Sequence, residues 1–390
     1  MSADVKKLLV AQFLTALADN AILFTAVAMV LSGALDGDWY VPALQGCFLV
    51  AFVVFAPWVG SFSDTRSKPY VLIVANLVKA AGAGLMLLGS DPLLAYTVIG
   101  LGAAAYSPAK YGILPELVHG DDLVRANGWI EGSTIIAILL GTVLGAAVAD
   151  YSITLAVSCV LLIYLISAAV AQLMTKLPAL RESVSGGALS NFSHTIRELL
   201  ATPRARFSTL GVSLFWASAI VMRLVIIAWA PAVLLLSTST QISMLTLFIA
   251  LGIAVGAALA PRLIPLGGLR RARIAAYAMG FCILLLMLVQ DVWLARASLF
   301  AAGICGGLFV VPVNAALQDI GHKSVGSGRA VAVQQFFENA AMLLATGLYT
   351  WSAATGAGAV ESLLVLGVFV MLATLVISWH LPRDPQKETA

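Results

Sequence analysis

Six ionisable side chains interrupt stretches of sequence that are otherwise apolar. They are Asp19, Lys79, Lys110, Glu131, Arg223 and Glu338. A charged group at the centre of a bilayer costs at least about 2.5–3.5 kcal/mol, so such residues face the protein interior or a wet cavity and usually pair. The charges of the three acids and the three bases cancel. The set therefore predicts ion pairs and contacts with a charged headgroup, not a path for ions of one sign.

Amide side chains extend this set. Gln334, Gln335, Glu338 and Asn339 share one helix face by their spacing, and this polar stripe suits a headgroup with phosphate, hydroxyl and amine groups. A hydrogen-bonded seam between helices is the competing interpretation. Further hydrogen-bonding candidates are Asn20, Asn76 and Asn314.

The composition indicates an integral membrane protein whose surface contacts lipid. Hydrophobic residues make up 61% of the sequence and charged residues 11%, with a mean hydropathy of +0.99. Soluble domains carry roughly 25% charged residues. The net charge of +3 comes without a basic run, so we expect no nucleic-acid partner. The cysteines form no CxxC pair, and we predict no disulfide, metal site, cofactor or catalytic residue.

Twelve segments are long and apolar enough to cross a membrane, which predicts an all-α integral membrane fold. They are 8–33, 41–61, 70–89, 93–115, 124–148, 152–175, 207–236, 243–263, 272–290, 294–318, 327–352 and 358–381. The long polar connection is 176–206. It divides the chain into a six-helix half over 1–175 and another over 207–390.

Loop charges predict the orientation. We number the loops between consecutive spans as gaps 1 to 11. Lysine and arginine residues concentrate at both termini and in the even-numbered gaps. The odd-numbered gaps carry acids, and the single base at their edge is Arg296, at the start of the tenth span. Because bases concentrate in cytoplasmic loops, both termini and the 176–206 loop are predicted to be cytoplasmic. A competing interpretation, a signal peptide cleaved after Ala16-Leu17-Ala18, conflicts with the apolar run that continues beyond Ala21.

A weak repeat relates the two halves. Gly102 and Pro108 of the fourth span match Gly306 and Pro312 of the tenth. Parallel six-span repeats around a midplane site are a known transporter architecture.

In such an arrangement the first and seventh spans are equivalent. We therefore predict an Asp19–Arg223 pair, either a gate or substrate contact, or a permanent strut. Lys79 is another possible partner for Asp19. Glu131 is predicted to pair with Lys110 or Arg329.

Several motifs resemble the major facilitator superfamily. The loop "GSFSDTRSK" (60–68) resembles its first signature, and Asp64 is predicted to pair with Arg66 or a neighbouring helix and latch the cytoplasmic side. Glu131 is a weaker candidate for the same gating. Tyr96 stands where proton-coupled members carry arginine, and Ala146 replaces the proline of the antiporter signature. Both departures disfavour a proton-driven drug exporter.

Other stretches are similar to the lysophospholipid transporters of Gram-negative inner membranes. They are "AQFLTALADNAILF" (11–24), "GLGAAAYSPAKYGILPEL" (100–117), "LFWASAIVMRLVIIAW" (214–229), "FVVPVNAALQ" (309–318) and "AVAVQQFFENAAMLL" (330–344). The resemblance implies movement of lysophosphatidylethanolamine, lysophosphatidylglycerol and related lipids from the outer to the inner leaflet. It implies functional coupling to a cytoplasmic-face acyltransferase that uses acyl carrier protein.

Two other functions stay open at the level of sequence. One is an ion-coupled exporter of amphipathic drugs with the same fold. The other is a membrane enzyme that modifies lipids, although the expected His/Asp or Ser/His constellation is missing. We expect a monomer that contacts its substrate and membrane lipids.

Overall fold

The computed structural model describes residues 2–29, 40–175, 178, 187–236, 239–379 and 381. Over this part of the chain the protein is helical and contains no strand. The helices are α1 (Ala3–Met29), α2 (Tyr40–Asp64), α3 (Lys68–Leu87), α4 (Pro92–Gly112), α5 (Leu114–Leu117), α6 (Asp121–Tyr151), α7 (Ile153–Gln172), α8 (Ala188–Ala201), α9 (Pro203–Leu234), α10 (Ser239–Leu263), α11 (Leu269–Leu285), α12 (Val292–Lys323), α13 (Ser327–Ala354) and α14 (Ala359–Ser378).

Each of the twelve predicted spans overlaps one of the long helices, which confirms the all-α membrane fold. Within the described residues, ten helices are both long and apolar enough to cross a membrane. The other two are α4 and α13. They contain Lys110 and the stripe from Gln334 to Asn339, respectively. The count of twelve spans stays a prediction.

Local sequence explains where several helices begin. Asp91, Ser152 and Thr202 each accept a hydrogen bond from a backbone N–H of the first turn that follows. Such caps satisfy amide donors that have no partner within the helix. The predicted 176–206 connection contains a helix of its own, α8, whose Phe192 packs edge-on against Phe336 of α13.

The chain forms two compact units. Unit one comprises Met1–Val118, Ser133–Glu198 and Gln318–Phe336, and unit two comprises His119–Gly132, Leu199–Leu317 and Phe337–Ala390. The division cuts through α6, α8, α12 and α13. The units therefore depart from the predicted halves, 1–175 and 207–390, by short segments contributed from the other half of the sequence.

Close helix contacts within each unit depend on glycine. In unit one, a Cβ at Gly145 would lie 2.5 Å from Ala21 Cα, and one at Gly102 would lie 2.6 Å from the Lys79 side chain. In unit two, a Cβ at Gly252 would clash with the Phe300 carbonyl oxygen. Small residues allow membrane helices to approach this closely. Gly102 thereby leaves room for a buried lysine, and Gly252 sets the α10–α12 seam.

Candidate functional site

Asp19 lies at the centre of a hydrogen-bonded group in unit one, which we call the Asp19 cluster: Asp19 and Thr15 on α1, Lys79 on α3 and Tyr164 on α7. Lys79 Nζ lies 2.8 Å from Asp19 Oδ2 and 3.2 Å from Thr15 Oγ1. The Tyr164 hydroxyl donates to Asp19 Oδ1 over 2.8 Å. Three helices thus meet on one carboxylate.

The two charges of this cluster differ in accessibility. The Lys79 side chain is 1% exposed, whereas the Asp19 side chain is 19% exposed. Lys79 also lies 4.9 Å from the centre of the Tyr106 ring, so its ammonium is surrounded by the protein. A carboxylate has about four acceptor positions, and Lys79 and Tyr164 occupy two of them. Asp19 is therefore the member with capacity for a further donor.

The two asparagines predicted near Asp19 have structural partners. Asn76 accepts from Thr15 Oγ1 over 2.8 Å and donates to Ser167 Oγ over 3.0 Å, so it joins α1, α3 and α7. Asn20 Nδ2 donates to the Ala16 carbonyl of its own helix.

The observed partner of Asp19 is Lys79, which the sequence offered only as an alternative. The predicted pair with Arg223 joins residues of different units and stays a prediction. Arg223 itself is exposed on α9.

Asp64, at the end of α2, organises a second group that we call the Asp64 cluster: Asp64, Lys68, Glu116 and the amides of Gly328 and Arg329. Asp64 Oδ1 accepts from Lys68 Nζ and from Gly328 N, each over 2.8 Å, and Oδ2 accepts from Arg329 N over 2.9 Å. The carboxylate thereby caps the N-terminus of α13, where a negative charge is stabilised.

Close packing supports this contact. A Cβ at Gly328 would lie 2.7 Å from Asp64 Oδ1, and one at Gly60 would lie 2.7 Å from Ala332 Cβ. Ser327 Oγ adds a hydrogen bond of 2.9 Å to the Gly112 carbonyl at the end of α4. The start of α13 is therefore attached to α2 and to α4 within unit one.

Of the two partners predicted for Asp64, the neighbouring helix is observed and Arg66 is not. Arg66 is exposed, and the basic side chain that binds Asp64 is Lys68, four residues further along the chain. Lys68 is the first residue of α3, so its side chain reaches Asp64 across the turn between α2 and α3. The predicted gating role of Arg66 stays a prediction.

Glu116 is the second acid near Lys68. Its Oε1 lies 4.0 Å from Lys68 Nζ, its side chain is 6% exposed, and Oε1 has no hydrogen-bond partner. Burial raises the pKa of the Glu116 carboxyl from its ordinary value of 4.5 to about 7, with Lys68 lowering the pKa and Asp64 raising it. Glu116 is buried, and the nearby Lys68 ammonium is hydrogen-bonded to Asp64. Glu116 therefore takes up a proton near neutral pH.

We predict that this proton makes thermal stability depend on pH. The folded pKa lies above the unfolded one, so the contribution of Glu116 is fully present below pH 4.5 and is lost as pH rises through about 7. Purified protein should melt at least about 2 °C lower at pH 8 than at pH 5.5 because of this group. Glu116→Gln mimics the protonated acid, so in this variant the difference in melting temperature between pH 5.5 and pH 8 should be smaller by the contribution of Glu116.

The matched control is Asp122→Asn, because Asp122 pairs with Arg125 on the surface and both side chains are about two-thirds exposed. It should leave the pH dependence unchanged. Equal pH dependence in wild type and Glu116→Gln would contradict the assignment.

Unit two contains its own buried acid. Glu131 Oε1 accepts a hydrogen bond from Asn314 Nδ2 over 3.3 Å, and both side chains are buried. A Cβ at Gly128, one turn before Glu131, would lie 2.6 Å from the Ala257 carbonyl oxygen, so α6 and α10 are in close contact. The observed partner of Glu131 in its unit is thus Asn314. The predicted pairs with Lys110 or Arg329 stay predictions.

The remaining predicted site residues are buried polar groups. They are Lys110, Gln334, Gln335, Glu338 and Asn339. Lys110 Nζ lies 3.9 Å from the centre of the Tyr111 ring. Buried amides and charges need partners, and each of these residues makes such interactions. The structure confirms that they are interior groups, while their role towards a substrate stays a prediction.

Sequence reasoning missed Tyr164, Thr15, Lys68 and Glu116. Tyr164 carries a detectable signal, because a tyrosine in the middle of the apolar run of α7 needs a hydrogen-bond partner. Lys68 was visible as the residue four positions after Asp64. Among the described residues, no group of His, Cys, Asp and Glu is suited to hold a metal ion.

Comparison with known proteins places these helices in a family. The model of the Major Facilitator Superfamily matches residues 8–346. The chain belongs to this superfamily. It is 39% identical to the lysophospholipid transporter LplT of Photorhabdus laumondii, over 97% of this chain and 96% of the relative. It is 40% identical to LplT of Escherichia fergusonii with the same coverage, and therefore belongs to the LplT family within the superfamily.

Solved structures agree on the fold. The Escherichia coli fucose:proton symporter FucP has a TM-score of 0.75 at 15% identity, over 97% of this chain and 98% of FucP. A bacterial homologue of the iron transporter ferroportin, in an outward-facing state, has a TM-score of 0.69 at 16% identity, over 97% and 98%. At these identities the likeness concerns the superfamily fold alone. The chain is thus a multi-pass membrane protein of transporter architecture.

Proposed function

We propose that this protein transports lysophospholipids such as lysophosphatidylethanolamine and lysophosphatidylglycerol from the outer to the inner leaflet of a bacterial inner membrane. The observation that carries the proposal is the identity of about 40%, over nearly the full chain, with relatives named lysophospholipid transporter. The Asp19 cluster supports it chemically, since it keeps a charged group accessible inside an apolar helix bundle.

The barrier to this transport is the charged headgroup, because its transfer into hydrocarbon requires replacing its water by other polar partners. In our proposal the ammonium of an ethanolamine headgroup donates to Asp19, which retains Lys79 and Tyr164. Arg223, Lys110 and the polar stripe of α13 provide partners for phosphate and hydroxyl groups. The single acyl tail stays among apolar side chains or in lipid.

The proposed topology has both termini in the cytoplasm, following the distribution of bases. The Asp64 cluster then lies at the cytoplasmic ends of α2, α4 and α13, where it acts as a latch, and Glu131 with Asn314 is a second gating candidate in unit two. Alternating access comes from movement of the six-helix halves. Releasing the start of α13 from Asp64 is one of the changes that opens the cytoplasmic side.

Transport in this proposal is not coupled to an ion. The intramembrane charges balance, and a tyrosine, Tyr96, is buried in the apolar core of unit one where proton-coupled members carry arginine. An acyltransferase that uses acyl carrier protein consumes the lysolipid at the cytoplasmic face and draws transport forward. The protein itself acts as a monomeric transporter and not as an enzyme.

The proposal predicts uptake of labelled lysophosphatidylethanolamine by proteoliposomes. Lipid added to the outer leaflet should become protected from extraction by albumin at least about tenfold faster than in protein-free vesicles, which corresponds to a barrier lower by about 1.4 kcal/mol. The rate should persist when ionophores collapse all ion gradients. The two-tailed parent lipid serves as the substrate control.

Lysolipid that stays extractable would contradict the proposed substrate. Transport that stops when the gradients collapse would contradict the absence of coupling and would favour the ion-coupled exporter. Release of a fatty acid or formation of a new ester by the purified protein would favour the enzyme.

A further inference from the structure

Arg296 lies at the end of the helices opposite to the other loop bases. It belongs to the second turn of α12, which runs on to Lys323. At 1.5 Å per residue the two residues are about 40 Å apart along the helix axis, which is the thickness of a bilayer with its headgroup regions. Arg296 therefore lies at one membrane interface and Lys323 at the other.

Aromatic rings fix the position of the Arg296 guanidinium. Its central carbon lies 4.5 Å from the centre of the Trp293 ring and 5.6 Å from that of Phe248 on α10. Phe248 is one turn before Gly252 and Arg296 is one turn before Phe300, two residues in close contact in the α10–α12 seam. The guanidinium thus lies over two aromatic rings at one end of this seam.

One hydrogen-bond donor of Arg296 is buried without a partner in the described part of the protein. Its Nε is buried without a hydrogen-bond partner, and no salt bridge to its guanidinium forms among the described residues. The nearest acid in sequence, Asp291, accepts a hydrogen bond of 2.9 Å from the Leu294 N–H and caps α12. A buried donor that lacks a hydrogen-bond acceptor lowers the stability of the protein unless another molecule supplies the acceptor.

The chemistry of the missing partner follows from these features. A stacked guanidinium presents planar donors along its edge, a geometry that matches phosphate oxygens bidentately. Trp293 is 70% exposed, as expected for a tryptophan at the level of lipid headgroups. A base at this interface also opposes the usual charge distribution of membrane proteins.

We infer that Arg296, with Trp293 and Phe248, forms a phosphate-binding site at which a lysophospholipid first binds from the leaflet opposite to the chain termini. The inference rests on the proposed function, and in the proposed topology this leaflet is the outer one. The phosphate binds the guanidinium edge, and the glycerol and the start of the tail contact the rings. The site loads the substrate and is separate from the Asp19 cluster.

The test measures initial transport rates against lysophosphatidylethanolamine concentration for wild type and Arg296→Gln. The half-saturating concentration should rise at least about tenfold, because hydrogen bonds to charged groups are lost, while the maximal rate changes by less than about twofold. Arg296→Lys, which keeps the charge but loses the planar edge, should be intermediate. The matched control is Arg271→Gln, since Arg271 is an exposed base at the other interface, and it should behave as wild type.

A second measurement separates this inference from the proposed function. Equilibrium binding of labelled lysophosphatidylethanolamine is measured in phosphatidylcholine nanodiscs, with gel filtration confirming that each variant is folded. Weaker binding by Arg296→Gln supports the site even if wild type fails to transport, a result that would overturn the proposed function alone. Unchanged binding and unchanged half-saturation overturn the site. Loss of co-purified two-tailed phospholipid with unchanged lysolipid binding also overturns it, because Arg296 then holds an ordinary membrane lipid.

Discussion

Replacing Asp19 with asparagine is expected to abolish lysolipid transport and to lower the free energy of unfolding by about 3–5 kcal/mol. The loss of stability arises because Lys79, which is almost fully buried, keeps its ammonium without the carboxylate 2.8 Å away. Transport fails because the accessible acceptor of the cluster is gone. Denaturant or thermal unfolding in detergent measures the first effect, and proteoliposome uptake measures the second.

The double variant Asp19→Asn/Lys79→Met separates the structural role from the transport role. Removing both charges of a buried pair is often nearly neutral, so stability should return to within about 1 kcal/mol of wild type. Transport should stay absent. A double variant that transports normally would show that the pair is only a strut between α1 and α3.

The matched control is Asp319→Asn. Asp319 pairs with Lys323 at the same 2.8 Å, but Lys323 is exposed. Exposed pairs contribute about 0–1 kcal/mol, so this variant should be nearly neutral in both assays.

Replacing Asp64 with asparagine is expected to reduce transport at least about tenfold by weakening the attachment of α13. The carboxylate holds Lys68 and two backbone amides, and hydrogen bonds to a charged group contribute about 1.5–3 kcal/mol each. A cysteine at the buried position Val331 reports the change directly. In a background without the native cysteines, it should react with a maleimide at least about tenfold faster in the Asp64→Asn variant.

The same contact can be disturbed from its other side. Gly328→Ala places a Cβ 2.7 Å from Asp64 Oδ1 and 2.8 Å from Ser63 Oγ, so it should reproduce both effects. Gly347→Ala lies on the same helix with nothing within 4 Å of the new Cβ, and it should resemble wild type. Equal labelling rates in all variants would show that Asp64 does not secure α13.

The helices and the interior polar residues were predictable, because apolar length and composition report directly on the bilayer. Contacts between helices were not. Asp19 and Lys79 are 60 residues apart, and Asp19 and Tyr164 are 145 apart. Choosing among distant partners requires the order of helices around the bundle, which hydropathy does not encode. The repeat argument suggested Arg223, which stays a prediction, and the structure shows Lys79, the alternative partner, within the same unit.

The sequence predicted the kind of contact that Asp64 makes more reliably than the residue that makes it. The motif from Gly60 to Lys68 correctly indicated an acid that binds a neighbouring helix, but it did not distinguish Arg66 from Lys68. The difference lies in helical geometry: Lys68 begins α3 and is positioned to point back to Asp64. Glu116 was missed because its significance depends on burial beside a base that Asp64 already occupies.

The attachment of α13 to Asp64 also has a consequence for biosynthesis. The ribosome adds about 5–20 residues per second. Since Gly328 follows Asp64 by 264 residues, the amides that complete the cap emerge roughly 10–50 s after the carboxylate. During that interval Lys68, only four residues away, is the partner that keeps Asp64 neutralised. Unit one is therefore finished late, when most of the second half of the chain has already been made.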